Sequence, residues 1–169
     1  DITDDEKTII EKYLSDGGKV YLILGDTTSD TPNLDGIMSD YGLKKVSGYI
    51  ADTQRCYQGN YYAIFPQLSL SGDLGSGISN QMVLLLNSPG MEKRDTDNDN
   101  LTVTPFMQTS DSGYAVTEND QTQGQYILGA VSTNAISADS SDSDSEDEDD
   151  ESDATDTDTK TARLTVLAS

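Results

Sequence analysis

The sequence predicts one α/β domain over residues 1–169, a mainly parallel sheet flanked by helices with β-hairpin additions toward the C-terminus. Three observations predict it. Helical and strand-like periodicities alternate from Asp1 to Asp52, the order that βαβ units produce. The strand-like stretches are short apolar runs, as in strands covered on both faces. A tight strand-to-loop change at "LGDTTSDTPN" lies at the carboxyl end of a strand, where open α/β sheets carry their sites.

"DITDDEKTIIEKYLSDGGK" opens as a helix. Thr3 or Asp4 caps it, and Asp4, Asp5 and Glu6 put negative charge at the positive end of the dipole. Ile9, Ile10, Tyr13 and Leu14 share one face, and Gly17-Gly18 ends it. "KVYLILG" follows as a strand buried on both faces. Pro32 suits a first helical turn with Thr31 as cap, and Leu34, Ile37, Met38 and Tyr41 recur at helical spacing up to a stop at Gly42. "LKKVSGYIAD" is one strand ending at Asp52. "TQRCYQGNYYAIFPQLSLSGDLGSGIS" reads as a long ordered loop, with Tyr49, Tyr57, Tyr61 and Tyr62 as packing aromatics. "QMVLLLN", "LTVTPFMQTS" (with an edge or break at Pro105), "GQYILGAVST" and "ARLTVLAS" supply the later strands.

Charge sits unevenly along this frame. The chain carries 31 Asp+Glu against 10 Lys+Arg, a net charge of −21, and 12 of those acids fall in "DSSDSDSEDEDDESDATDTD", Asp139–Asp158. Alternating Ser/Asp and Thr/Asp without large apolar residues cannot offset chain entropy. Residues 138–160 therefore read as a disordered insertion between two strands, its serines suited to an acid-directed kinase. So acidic a chain does not neutralise phosphate, which argues against nucleic acid and against anionic lipid. No apolar run approaches the ~20 residues of a membrane span.

The chemistry-bearing residues are few. There is no histidine and one cysteine, so Ser-His-Asp and Cys-His arrangements and His- or Cys-based zinc sites are excluded within the chain. Cys56 beside Arg55 has no histidine base. "GDLGSG" lacks the lysine of a phosphate loop. Two sites remain. Asp26, Thr27, Thr28, Ser29 and Asp30 form a polar loop at a strand end, and Asp26 and Asp52 each follow a strand, so they are candidates for a ligand pocket, for acid/base hydrolysis, or for a magnesium site; the competing reading is helix capping and turn formation. Asp95, Asp97 and Asp99 match positions 1, 3 and 5 of a calcium loop, but position 6 is Asn100 rather than Gly and position 12 is Phe106 rather than Glu, so the oxygen count falls short.

"EKYLSDGGKVYLILGD", "PNLDGIMSDYGL" and "GYIAD", followed by "LTVTPFMQTSDSGYAV", "GQYILGAVS" and "ARLTVLAS", resemble the extracytoplasmic domain of the GldG-like family, auxiliary components of ABC-type transport systems. The resemblance spans nearly the whole chain except the acidic run. It implies a Rossmann-like fold, amidotransferase-like or flavodoxin-like, without amidotransferase chemistry. It also implies a non-enzymatic binding domain outside the membrane (cell surface or periplasm), excised from a membrane-anchored parent. Its partners would be other transporter subunits or a surface protein or glycan, and no cofactor is expected. The alternatives are a divalent-cation-binding module and a carboxylate-based hydrolase using Asp26/Asp52.

Overall fold

Thr3 and Glu6 cap each other. The Glu6 amide donates to the Thr3 hydroxyl at 3.3 Å and the Thr3 amide donates to the Glu6 carboxylate at 2.8 Å, which satisfies two donors that no helical bond reaches. The helix that follows, α1 (Asp4–Ser15), ends where Gly17 takes φ +87°. The computed structural model describes residues 1–25, 30–70, 82–136 and 160–169; 47% of these are strand and 16% helix. After α1 come β1 (Lys19–Leu24), α2 (Pro32–Asp40), β2 (Leu43–Lys45), β3 (Tyr49–Asp52), β4 (Cys56–Tyr57), β5 (Asn60–Ile64), β6 (Gln67–Leu68), β7 (Leu85–Leu86), β8 (Met91–Lys93), β9 (Leu101–Gln108), β10 (Gly113–Val116), β11 (Gln121–Gln123), β12 (Ile127–Ile136) and β13 (Lys160–Ala168).

The strands corrects the α/β expectation: the domain is mostly β, with mixed sheets and two helices among the described residues. The central sheet runs β1–β13–β12–β8–β2, with β9 also on β12 and β6 beyond β9. Only β1 and β13 pair in parallel among the described residues. Every other pairing is antiparallel. The physical reason lies in the connections. Parallel neighbours need long crossovers, whereas strands after α2 meet antiparallel, β4 with β5 and β10 with β11 through tight turns. The last strand, β13, takes the place beside β1, and β2 settles against β8 instead. A Rossmann-like sheet flanked by helices is not formed.

Both helices lie on one face of this sheet. Leu14 of α1 and Ile37 and Met38 of α2 join Leu24, Leu164, Val166 and Ala130 in one core, with Val20 and Leu22 packed against it. The apolar stripe of α1 is narrower than its spacing suggests. Leu14 is buried, but Ile9 and Tyr13 are exposed. Thr31 flanks α2 without a side-chain cap. Its hydroxyl instead donates to Asp35 and accepts from Lys45, and Lys45 also pairs with Asp35 at 3.6 Å. This ties α2 to β2. A second core gathers Ile50, Ile64, Met107, Ala115, Tyr126 and Leu128, beneath two three-stranded sheets ordered β11–β10–β3 and β4–β5–β7.

Three further expectations change. "LKKVSGYIAD" is two strands in different sheets, β2 and β3, broken at Gly48 with φ +84°. The tyrosine-rich stretch is not a loop throughout: β4 and β5 form a hairpin through Gln58 and Gly59, both at positive φ. "QMVLLLN" contributes only Leu85–Leu86, to a peripheral sheet. Pro105 sits within β9, and the register of β9 on β12 shifts there, from Gly129↔Met107 to Ala130↔Pro105. Among the described residues β6 pairs with β9 only at Met107 and Gln108, so Pro105 lies on an edge beside the bulge, in line with the edge or break expected there.

Residues 137–159, and with them the acidic run, lie outside the described residues. Their flanks are informative. β12 and β13 pair antiparallel up to Ile136↔Lys160, so the chain leaves and re-enters at adjacent hairpin ends. Replacing Asp139–Asp158 by a short Gly/Ser linker should leave the melting temperature unchanged. A large fall, measured by thermal unfolding, would make the run part of the fold.

Candidate functional site

Asp52 ends β3 fully buried. Its Oδ1 accepts from the Gln54 and Arg55 amides at 2.9 Å each and from the Ser110 hydroxyl at 2.8 Å, and its Oδ2 accepts from the Ser110 amide at 2.7 Å. Burial pushes its pKa up, but the Ser110 and Arg55 amides, the Ser110 hydroxyl and the Gln54 amide together hold it below the ordinary carboxyl value. Four donors leave this carboxylate committed to joining the turn after β3 to the turn before β10. It acts as a clamp between these two turns.

Asp26, Thr27, Thr28 and Ser29 lie outside the described residues, and Asp30 is exposed. Asp95, Asp97 and Asp99 are also exposed. Among the described residues no three His, Cys, Asp or Glu side chains converge on a point where a metal ion would sit. The residues between these aspartates build local turns instead. The Asn98 amide donates to the Thr96 hydroxyl and the Asn100 amide to the Asn98 side chain.

Cys56 lines a pocket of about 420 Å³ with Gln54, Arg55, Phe65, Pro66 and Leu68. Arg55 does not present its charge there as a free anion receptor. Its guanidinium donates to the carbonyls of Phe65 at 2.7 Å and Pro66 at 3.4 Å. The Cys56 thiol points to the Thr53 carbonyl at 4.0 Å.

The apolar run "VYLIL" has an exposed side. Side chains alternate across a strand, and in β1 the even positions face the helices while the odd ones do not. Tyr21 and Ile23 are 59% and 57% exposed. Register places Lys19, Arg163, Thr133 and Thr102 in one row across β1, β13, β12 and β9, and Tyr21, Thr165, Val131 and Thr104 in the next. Ile23 pairs with Leu167, which packs against the second core. The face opposite α1 and α2 is thus covered near Leu167 and open toward Tyr21 and Lys19. The signal was present in the sequence: Lys19 and Tyr21 share a parity, and "ARLTVLAS" alternates Arg163 and Thr165 with Leu164 and Val166.

No family model matches the chain. No curated protein matches it significantly either. A solved structure described as "mmIFT52 N-terminal domain" is similar in fold, at 12% identity and a TM-score of 0.56, over 99% of this chain and 60% of that one. The chain therefore spans about three fifths of the solved chain it matches, and the likeness concerns the fold. No helix among the described residues is long and apolar enough to cross a membrane.

Proposed function

We propose that this is a non-enzymatic interaction domain, held outside the membrane as part of a membrane-anchored auxiliary protein of an ABC-type transport system, which engages a protein partner through its central sheet. The observation that carries the interaction reading is the open face of that sheet, with Tyr21 and Ile23 more than half exposed. Large apolar side chains gathered on one surface mark a binding site more often than scattered ones do. The saturation of Asp52 supports the non-enzymatic part, because a carboxylate already accepting from four donors is poorly placed to take a substrate proton. The transport context is carried by the sequence resemblance to the GldG-like family.

The test is purification of the full-length parent from its native membranes. An ATP-hydrolysing subunit and its membrane partner should co-purify with it in fixed proportion. A parent that purifies alone, or a domain that turns over a substrate by itself, would contradict the proposal.

A further inference from the structure

The geometry points to an acidic amphipathic helix of a partner protein as the occupant of the open sheet face, seated on Tyr21 and Ile23 with its carboxylates against Lys19 and Arg163. This rests on the interaction-domain reading and adds the chemistry of the partner.

Three observations carry it. α1 and α2 cover one face of β1 and β13, and on the other face Tyr21 and Ile23 are more than half exposed. The charge of the face is the second. The whole chain is at −21, yet neither the Lys19–Thr102 row, the Tyr21–Thr104 row nor the Ile23–Leu167 pair holds an acid. Lys19 and Arg163 stand side by side in register, and neither forms an ion pair among the described residues. An acid-free apolar surface edged by two cations is complementary to apolar side chains edged by carboxylates. The third is shape, since a helix laid on a sheet is a stable layer arrangement, and a helix offers an apolar stripe with charges along its borders.

Other occupants fit less well. A second copy of this face brings the same two cations and, in the rows named, no carboxylate to pair with them. The acidic run has charge but no apolar side chain larger than Ala154, so it offers nothing to cover Tyr21 and Ile23.

The experiment uses the complete chain and three labelled peptides of about 18 residues, long enough for an isolated helix. One is an acidic amphipathic helix of Leu and Glu, one its Leu/Lys counterpart, and one the acidic composition scrambled to remove the stripe. Fluorescence anisotropy should show the acidic amphipathic peptide binding about tenfold or more tightly than the other two. Tyr21→Ser with Ile23→Ser should weaken it by about tenfold or more. Lys19→Glu with Arg163→Glu should reverse the preference toward the Leu/Lys peptide. Equal binding of all three peptides, or indifference to the Tyr21/Ile23 double substitution, overturns the inference. So does a sedimenting dimer of the free chain that the same substitution dissociates, since the occupant is then a second copy. If no peptide binds while the wild-type parent still co-purifies with its ATP-hydrolysing subunit, the acidic-helix inference falls and the interaction reading stands. Failure of the wild-type parent to co-purify removes that reading itself.

Discussion

Asp52→Ala should lower the unfolding free energy by about 2–3 kcal/mol, because it strands the buried Ser110 amide and hydroxyl and removes the acceptor of the part-buried Gln54 and Arg55 amides. The side chain is inaccessible to solvent, and the variant would leave the Gln54, Arg55 and Ser110 amides without their carboxylate. Urea denaturation at neutral pH measures this directly. The pH dependence gives an independent readout. The folded pKa of Asp52 lies below its ordinary value, which is about 3.9 in an unfolded chain. On acidification the unfolded state therefore takes up the proton first. The contribution of the carboxylate is complete above that unfolded value and is lost as pH falls through the lower folded one. The stability gap between wild type and Asp52→Ala should be constant from neutral pH down to about pH 5 and should narrow below pH 4. A gap that stays constant through the acid range would show that the clamp is not the ionised carboxylate.

Gly48→Ala is the second large effect, expected at about 2–4 kcal/mol from backbone strain added to overpacking. Gly48 holds φ +84°, and a Cβ there would run into the backbone carbonyl of Val116. Relief would require β3 and β10 to separate, since Tyr49 and Val116 are register partners immediately beyond. Gly59 is the internal control. It has a similar φ of +81° but nothing within 4 Å of its added Cβ, so Gly59→Ala should cost only the left-handed backbone term, about 1 kcal/mol. Equal losses at the two positions, measured from urea midpoints, would mean that contact with Val116 contributes nothing.

These two residues also show where the sequence was legible. Local signals held where local physics decides. Thr3 with Glu6, Gly17, Pro32 and Gly42 set the ends of α1 and α2, and the strands at 101–108, 127–136 and 160–168 match their apolar patterns. Decisions made by distant parts of the chain were not legible. Nothing near Lys19 says that its neighbour is the last strand of the chain rather than the next one. That pairing is the sheet's one parallel contact among the described residues, and the antiparallel pairings of β12 with β13, β8 and β9 make the sheet mixed. Gly48 looks like an ordinary residue inside a strand until the structure shows a change of sheet there. The polar loop from Asp26 to Ser29 lies outside the described residues, and Asp52, its proposed partner, is engaged by Ser110, a residue with no motif around it. The open face was partly readable, because the odd positions of β1 include Lys19 and Tyr21, but the apolar run as a whole suggests burial on both sides.

If the proposed partner binds the open face of the central sheet, Ile23 lies in the contact. A photo-reactive amino acid placed at Ile23 in the full-length parent, in its native cells, tests it most directly. The same label at Ile9, 68% exposed on α1, serves as the reference. Position 23 should crosslink to the proposed transport subunit, through a segment rich in Asp or Glu beside apolar residues, and position 9 should give no such product. Crosslinks of equal yield from both positions, or none from position 23 while the parent still co-purifies with that subunit, would contradict it.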